Sequence, residues 1–416
     1  MKVNKLTVAL AATSVVGFAA QAEEKSSPVN TLLPSTTLSG FVDTSANWDV
    51  GNNKTTANRF PNSAADRQGG FNLNAIKVAL EKPLDEGTWS AGYKVESVVG
   101  SDANRLPGRF SSSTNSAIVG AIKQAYVALR APIGNGLDFK IGQFDPIIGY
   151  EVFDSYANPN FSRSYGFFLE PQSHTGILAT YQFSETVGVA GGIADTHFGG
   201  ANTKTVNRTI KTYMGGLTLK APESFGWLAG SSLYAGAVVG ADSSTSITTG
   251  VDENGLPIVG NPVETTKRPV NLYAGSSIAT PLKALTWGVS YDYLFNPYNT
   301  DSSHTLFDIA STRAGLSSYA NAFAAYISYQ LSEKAKLNLR GEYATSSGGI
   351  FIPTTVGFSN DEKLTGATVT LDYSLWANVL TRLEVRWDHV AGGSIERPFN
   401  DNRNDVSVAA NIIYKF

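Results

Sequence analysis

The chain has 416 residues, no cysteine and a formal net charge of −3. Thiol catalysis, disulfides and cysteine-based metal sites are therefore excluded, and a mildly acidic chain lacks the basic face that binds nucleic-acid phosphates. Mean hydropathy is −0.09, and no apolar run outside the N-terminus is long enough to span a membrane as a helix.

Lys2 and Lys5 form a basic start, an apolar run follows from Leu6 to Ala20, and Ala20-Gln21-Ala22 precedes the charged Glu23. That is the three-part layout of a cleavable secretory signal peptide. As a membrane anchor the run is short, and it contains Thr7, Thr13 and Ser14. Cleavage after Ala22 leaves 30 Lys+Arg against 35 Asp+Glu, a net charge of −5. Residues 23–36 read as a polar periplasmic lead-in.

From residue 37 the chain divides into about sixteen candidate strands, each near the ten residues that a tilted transmembrane strand needs. They are placed at 37–49, 71–82, 88–99, 118–131, 135–144, 174–183, 186–196, 208–220, 228–241, 268–280, 284–294, 319–331, 335–345, 363–374, 377–389 and 404–416. Short connections (84–87, 132–134, 184–185, 281–283, 332–334, 375–376 and the less regular 221–227) alternate with long ones (50–70, 100–117, 145–173, 197–207, 242–267, 295–318, 346–362, 390–403). Period-two alternation assigns the faces. Val379, Leu383, Val385 and Trp387 oppose Arg382, Glu384, Arg386 and Asp388, and Val406, Val408, Ala410 and Ile412 oppose Asp405, Ser407 and Asn411. Phe71 and Leu73 break parity with Ile76, Val78 and Leu80, which predicts a bulge near Asn74 or Ala75.

A soluble antiparallel sheet gives the same alternation, but it needs a second layer over its apolar face. A sandwich or propeller has no reason to sort its connections by length. The fold expected for 37–416 is therefore an all-β transmembrane antiparallel barrel of about 16 strands, with short periplasmic turns and long external loops. Tyr and Trp near strand ends suit its interfacial girdles.

Tyr414-Lys415-Phe416 resembles the C-terminal aromatic ending by which the outer-membrane assembly machinery recognises barrels. The stretch GQFDPIIGYEVFDSYANPNFSRSYGFFLEPQSHTGILATY at 142–181 resembles the OmpL-like β-barrel porin family. There, a Gly-Tyr-Glu segment is followed by an Asn/Ser/Arg-Ser segment and then by Pro, His and Gly opening the next strand. LSGFVDTSANWDV at 38–50 and QAYV at 124–127 look like that family too. The resemblance implies an outer-membrane barrel of a Gram-negative bacterium.

Segment 145–173 is the third long loop, the one that folds into the barrel in general porins. It carries Asp145, Glu151, Asp154, Arg163 and Glu170 among seven aromatics, Tyr150, Phe153, Tyr156, Phe161, Tyr165, Phe167 and Phe168. That content suggests packing against the wall, with the charges lining the opening; a cap over the mouth is the other reading. Inward parity offers Lys77, Lys94, Lys140, Arg340, Arg382 and Arg386 against Glu81, Glu96, Asp138, Asp292, Glu342, Glu384 and Asp388 as pore lining. Opposed arcs of these charges would set a transverse field; pairing along or across strands, which only keeps the lumen wet, is the other reading.

Catalytic patterns are weak. Asp388 and His389 are neighbours on a strand and point to opposite faces. His174 opens a strand, where a structural hydrogen bond is its expected role, and VDENGL at 251–256 lacks the spaced ligands of a calcium loop. No cofactor and no metal is expected. The function expected is passive diffusion of small hydrophilic solutes through a charge-lined pore, with outer-membrane lipid around it. The alternatives are an adhesion or binding barrel with a plugged lumen, and a barrel enzyme. A homo-oligomer would fit sixteen-stranded porins in general, though no interface is specified.

Overall fold

The computed structural model describes residues 29–30, 35–50, 69–85, 89–106, 119–198, 204, 210–240, 248–251, 257–259, 268–295, 319–347, 350–352, 361–393, 399 and 402–416. The expected signal peptide lies outside the described residues, as do most of the lead-in and the tips of several long loops. Sixteen strands form the wall. They are β1 (Thr37–Val50), β2 (Gly69–Lys82), β3 (Ser90–Gly100), β4 (Val119–Ala131), β5 (Leu137–Phe144), β6 (His174–Gln182), β7 (Val187–Ala194), β8 (Thr212–Lys220), β9 (Ser232–Val239), β10 (Val270–Ala279), β11 (Leu285–Phe295), β12 (Tyr319–Gln330), β13 (Ala335–Ser347), β14 (Asp361–Trp376), β15 (Val379–Gly393) and β16 (Asn404–Lys415).

Each strand pairs antiparallel with the next, and β16 returns to β1 from Val406↔Val50 to Lys415↔Phe41. The seam is completed by Gly40 and Phe416, whose backbone N–H groups donate to each other's carbonyls at 2.9 and 3.0 Å. Closure removes both sheet edges, the condition for a strand wall to stand in lipid with every backbone group paired. A two-residue stretch, Val29–Asn30, adds a bridge to the start of β1, and Thr248–Val251 pairs with Pro257–Val259 outside the wall.

Parity holds as the alternation predicts. Leu383, Val385 and Trp387 are exposed outward, while Arg382, Glu384, Arg386 and Asp388 between them are buried inside. All six tryptophans, Trp48, Trp89, Trp227, Trp287, Trp376 and Trp387, are on the exposed outer surface. The bulge falls at Asn74: Asp43 faces Ala75 and Thr44 faces Leu73. Skipping one residue turns both Asn74 and Ala75 inward, and the Asn74 amide is held there by donating to Asp43 at 2.7 Å and accepting from Ser45 at 3.1 Å.

A second bulge, not foreseen, falls at Lys123, where Glu96 faces Gln124 and Ser97 faces Ile122. It turns Lys123 and Gln124 inward together. One connection also differs from expectation. β9 begins at Ser232 rather than 228, because Glu223–Leu228 form a 3-10 turn and Gly230, at φ 83°, closes it with its N–H on the Ala221 carbonyl at 3.0 Å.

Candidate functional site: the barrel interior

Segment 145–173 runs inside the barrel. It first braces itself. Asp154 opens a 3-10 turn at Ser155–Ala157, and the Asn158 amide spans that turn with bonds to Val152 N, Val152 O and Asp154 O at 2.8, 2.8 and 2.9 Å. Arg163 donates to the carbonyls of Val152, Phe153 and Phe161. A short helix, α1 (Tyr165–Leu169), follows, with Ser164 as its N-cap accepting from Phe167 N at 3.3 Å.

The wall then meets the segment's backbone with charged side chains. On β13, Arg340 pairs with Glu151 at 2.9 Å and donates to Ser162 O at 2.6 Å, while Glu342 accepts from Tyr165 N at 2.7 Å. On β15, Glu384 accepts from Phe161 N and Ser162 N at 2.6 and 3.0 Å. Arg382 donates to Ser155 O and Asn158 O at 2.6 and 2.7 Å, and Arg386 to Arg163 O at 2.6 Å. Asp388 accepts from the Tyr165 hydroxyl at 2.8 Å. From other strands of the wall, β2, β4 and β10, Lys77 pairs with Asp154, Lys123 grips both oxygens of Asp145, and Asn271 donates to Leu169 O at 3.1 Å.

Apolar contacts fill the remaining space. Tyr165, Phe168 and Leu169 form one buried cluster with Leu294, Leu364, Ile350, Phe351, Ile352 and Phe399. Tyr150 stacks on Tyr326 with ring centres 4.3 Å apart. Gly236 leaves the wall flat where the segment enters: a Cβ there would lie 2.7 Å from Ile148 Cγ2. From the preceding long connection, Arg105 reaches Phe168 O at 2.7 Å and lies over that ring.

The sequence-derived site residues therefore separate into two groups. Glu151, Arg163 and Glu170 are buried in the packed segment, with Arg340, Arg382, Arg386, Glu342 and Glu384 turned onto it. These wall charges alternate in sign along β13 and β15, so they form ladders of ion pairs (Arg340 with Glu342 at 3.1 Å, Arg386 with Asp388 at 2.9 Å) rather than opposed arcs. Asp145 and Asp154 instead reach a chamber of about 440 Å³ under the segment, as do Lys94 and Lys140. Lys94 pairs with Glu81 and Glu96 at 3.3 and 3.1 Å, and Lys140 lies over the Tyr126 ring.

Sequence reading missed Lys123 because the bulge shifts its parity; the switch from Ile122 to Ala125, Val127 and Leu129 on the outer face was the available signal. It also missed Arg105, which no periodicity marks.

Burial governs the ionisation of the inserted groups. The Glu170 carboxyl is pushed well above the ordinary carboxylate range by burial and by the Asp292 carboxyl beside it. Burial likewise lowers Arg105 to about 9, against the pull of Glu170. His174 bonds the Thr196 carbonyl at 3.3 Å and His197 the Val238 carbonyl at 3.4 Å, and burial drives His197 down to about 3. Both tie backbone carbonyls together at the outer end of β6–β9. Asp388 faces inward while His389 stacks on Trp387 outside, with ring centres 5.5 Å apart.

With this geometry in hand, the comparisons with known proteins are specific. The model of the family described as "Putative beta-barrel porin-2, OmpL-like" matches residues 35–416. The chain belongs to this porin family. Among curated proteins none matches. Solved structures share the fold at low identity. The outer membrane channel DcaP of Acinetobacter baumannii superposes with TM-score 0.57 at 13% identity, over 92% of this chain and 97% of that one. An anion-selective porin from Comamonas acidovorans gives 0.55 at 12%, over 92% and 99%. The trimer form of OmpT from Vibrio cholerae gives 0.54 at 11%, over 92% and 99%. A family porin with a sixteen-stranded closed wall and a folded internal segment is an outer-membrane channel protein.

Proposed function

We propose that the protein is a passive diffusion porin for small hydrophilic solutes, in which segment 145–173 is the constriction. It acts without a cofactor or a catalytic step. The observation that carries this reading is the arrangement of polar groups. A chamber lined by charged residues lies at the short-turn end of the barrel, and the inserted segment roofs it with Val152–Pro159. Ions crossing the barrel would pass Asp145 and Asp154, where low-dielectric walls concentrate the field.

The signal-peptide layout at 1–22 and the paired backbone of Phe416 support export to the outer membrane, with Phe416 as the residue offered to the assembly machinery. The trimer form of a structural relative supports a homotrimer as the assembly to test first.

Planar-bilayer recording on refolded protein is the direct test. Stable ohmic steps are expected, and shortening the segment within 155–163 should raise the conductance. A second reading, a plugged barrel whose external loops bind a partner, is favoured by the depth of packing around Tyr165, Phe168 and Leu169. Silence in the bilayer from both proteins would select it.

A further inference from the structure

The chamber is lined by six lysines: Lys77, Lys94, Lys123, Lys140, Lys336 and Lys415. Four carboxylates line it as well, Glu96, Asp145, Asp154 and Asp372, so the lining carries a formal surplus of two positive charges. Just outside the lining, Glu81 pairs with Lys94 and Arg382 with Asp372, one charge of each sign.

The carboxylates are already held. Glu96 lies 3.3, 3.1 and 3.9 Å from Lys77, Lys94 and Lys123 and also accepts from Gln124 at 2.8 Å. Asp145 takes Lys123, Asp154 takes Lys77, and Asp372 takes Arg382 at 3.0 Å. Lys140 and Lys415 lie over the rings of Tyr126 and Tyr156, 5.0 and 5.2 Å from their centres. Lys336 sits at the short-turn end of β13, half-way round the wall from the cluster on β2–β5, while Lys415, at the same end of β16, lies in the register row of Phe41 and Lys77, beside that cluster. Ser39, Gln124, Asn158, Ser277 and Ser328 supply uncharged hydrogen-bonding groups between them.

We propose that this chamber is an anion-binding subsite that takes compact solutes bearing a carboxylate or phosphate group, and so gives the channel a preference for anions. Its size, about 440 Å³, is that of a metabolite pocket, and its lining combines the lysines with uncharged dipoles. Low-dielectric walls strengthen the attraction for an anion over that of the same charges on an open surface. The proposal deepens the porin reading, and it can fail or stand separately from it.

Two readouts test it on the full-length refolded barrel. In a potassium chloride gradient the reversal potential should show chloride more permeant than potassium. The double variant Lys140→Glu/Lys336→Glu changes the lining by four charge units, from a surplus of two positive to two negative, and should invert that preference. Lys140→Gln/Lys336→Gln should abolish it, and serves if the first variant fails to show the heat-dependent gel shift of a folded barrel. Lys204→Glu, on an external connection, should leave it unchanged.

Independently, titration calorimetry with inorganic phosphate and with succinate should detect binding, weakened about tenfold or more in either double variant. Binding of phosphate alone or succinate alone identifies which oxyanion the chamber takes. Anion binding from a silent barrel would remove the porin reading and leave the chamber standing. Cation preference, or anion binding that ignores both double variants, would overturn the proposal even in a conducting pore.

Discussion

At the scale of single residues, the interior is held by charges that have exchanged water for one another and for backbone. The Arg340 and Glu151 side chains are fully buried at 2.9 Å, and Glu342 sits 3.1 Å from the same guanidinium. Removing one member of such a pair leaves an uncompensated buried charge, typically about 3–5 kcal/mol. Arg340→Ala should accordingly lower the temperature at which the barrel loses its compact gel mobility, and adding Glu151→Gln should recover part of the loss. A melting temperature unchanged in Arg340→Ala would mean that the segment is not latched through β13.

Glu170 sets a pH dependence. Its folded carboxyl holds a proton to well above the ordinary value, so the folded state binds more protons than the unfolded chain once pH exceeds about 4.5. The stability it contributes is complete below that pH and declines as pH rises towards the folded value. Heat-shift midpoints should fall between pH 5 and pH 8 in the native chain, and Glu170→Gln should flatten that slope. An identical slope in both would assign the dependence elsewhere.

At the scale of elements, the wall was legible in the sequence and its contents were only partly so. All sixteen strands were readable because lipid forces strict period-two alternation and turn length sorts by side. The bulge at Asn74 was visible since lipid-facing Phe71 and Leu73 record the parity switch, whereas Lys123 hid behind small neighbours, Ala121 and Ala125. The aromatic content of 145–173 signalled packing. Which charge meets which could not be read, because Glu384 bonds Phe161 N across 223 positions of chain, a distance over which local pattern carries no information. Glu151 is buried against Arg340, while Asp154 reaches the chamber beside Lys77.

Face assignment carries its own test. Leu383 is about half exposed on the outer surface and Val408 shares that face. A cation near the bilayer midplane costs about 2–4 kcal/mol, so Leu383→Arg and Val408→Arg should each reduce the folded fraction recovered from vesicles. Ser407 lies opposite Arg386, so the inward control is better placed at Ser39, which borders the chamber. Ser39→Arg should assemble normally; equal recovery of all three would refute the assigned parity.

For the whole molecule, closure depends on its two ends. Phe416 exchanges both backbone hydrogen bonds with Gly40, and its ring lies close to where a Gly40 side chain would begin. Deleting Phe416 should therefore slow membrane assembly and lower the heat-shift temperature, whereas Phe416→Tyr, which keeps backbone and ring, should not. Pulse-chase conversion to the compact form would measure both.

The inserted segment imposes an order on assembly as well. It lies between β5 and β6, less than half-way along the chain's strands, yet it is anchored on β13 and β15, near the end of the chain. A strap tied at both ends to adjacent staves is hard to thread into a finished cask, because its polar backbone would first have to cross a crowded mouth. Raising the later staves around a strap already in place avoids that crossing. The contents then serve as a mandrel, and the diameter at which the last stave meets the first is set partly from within.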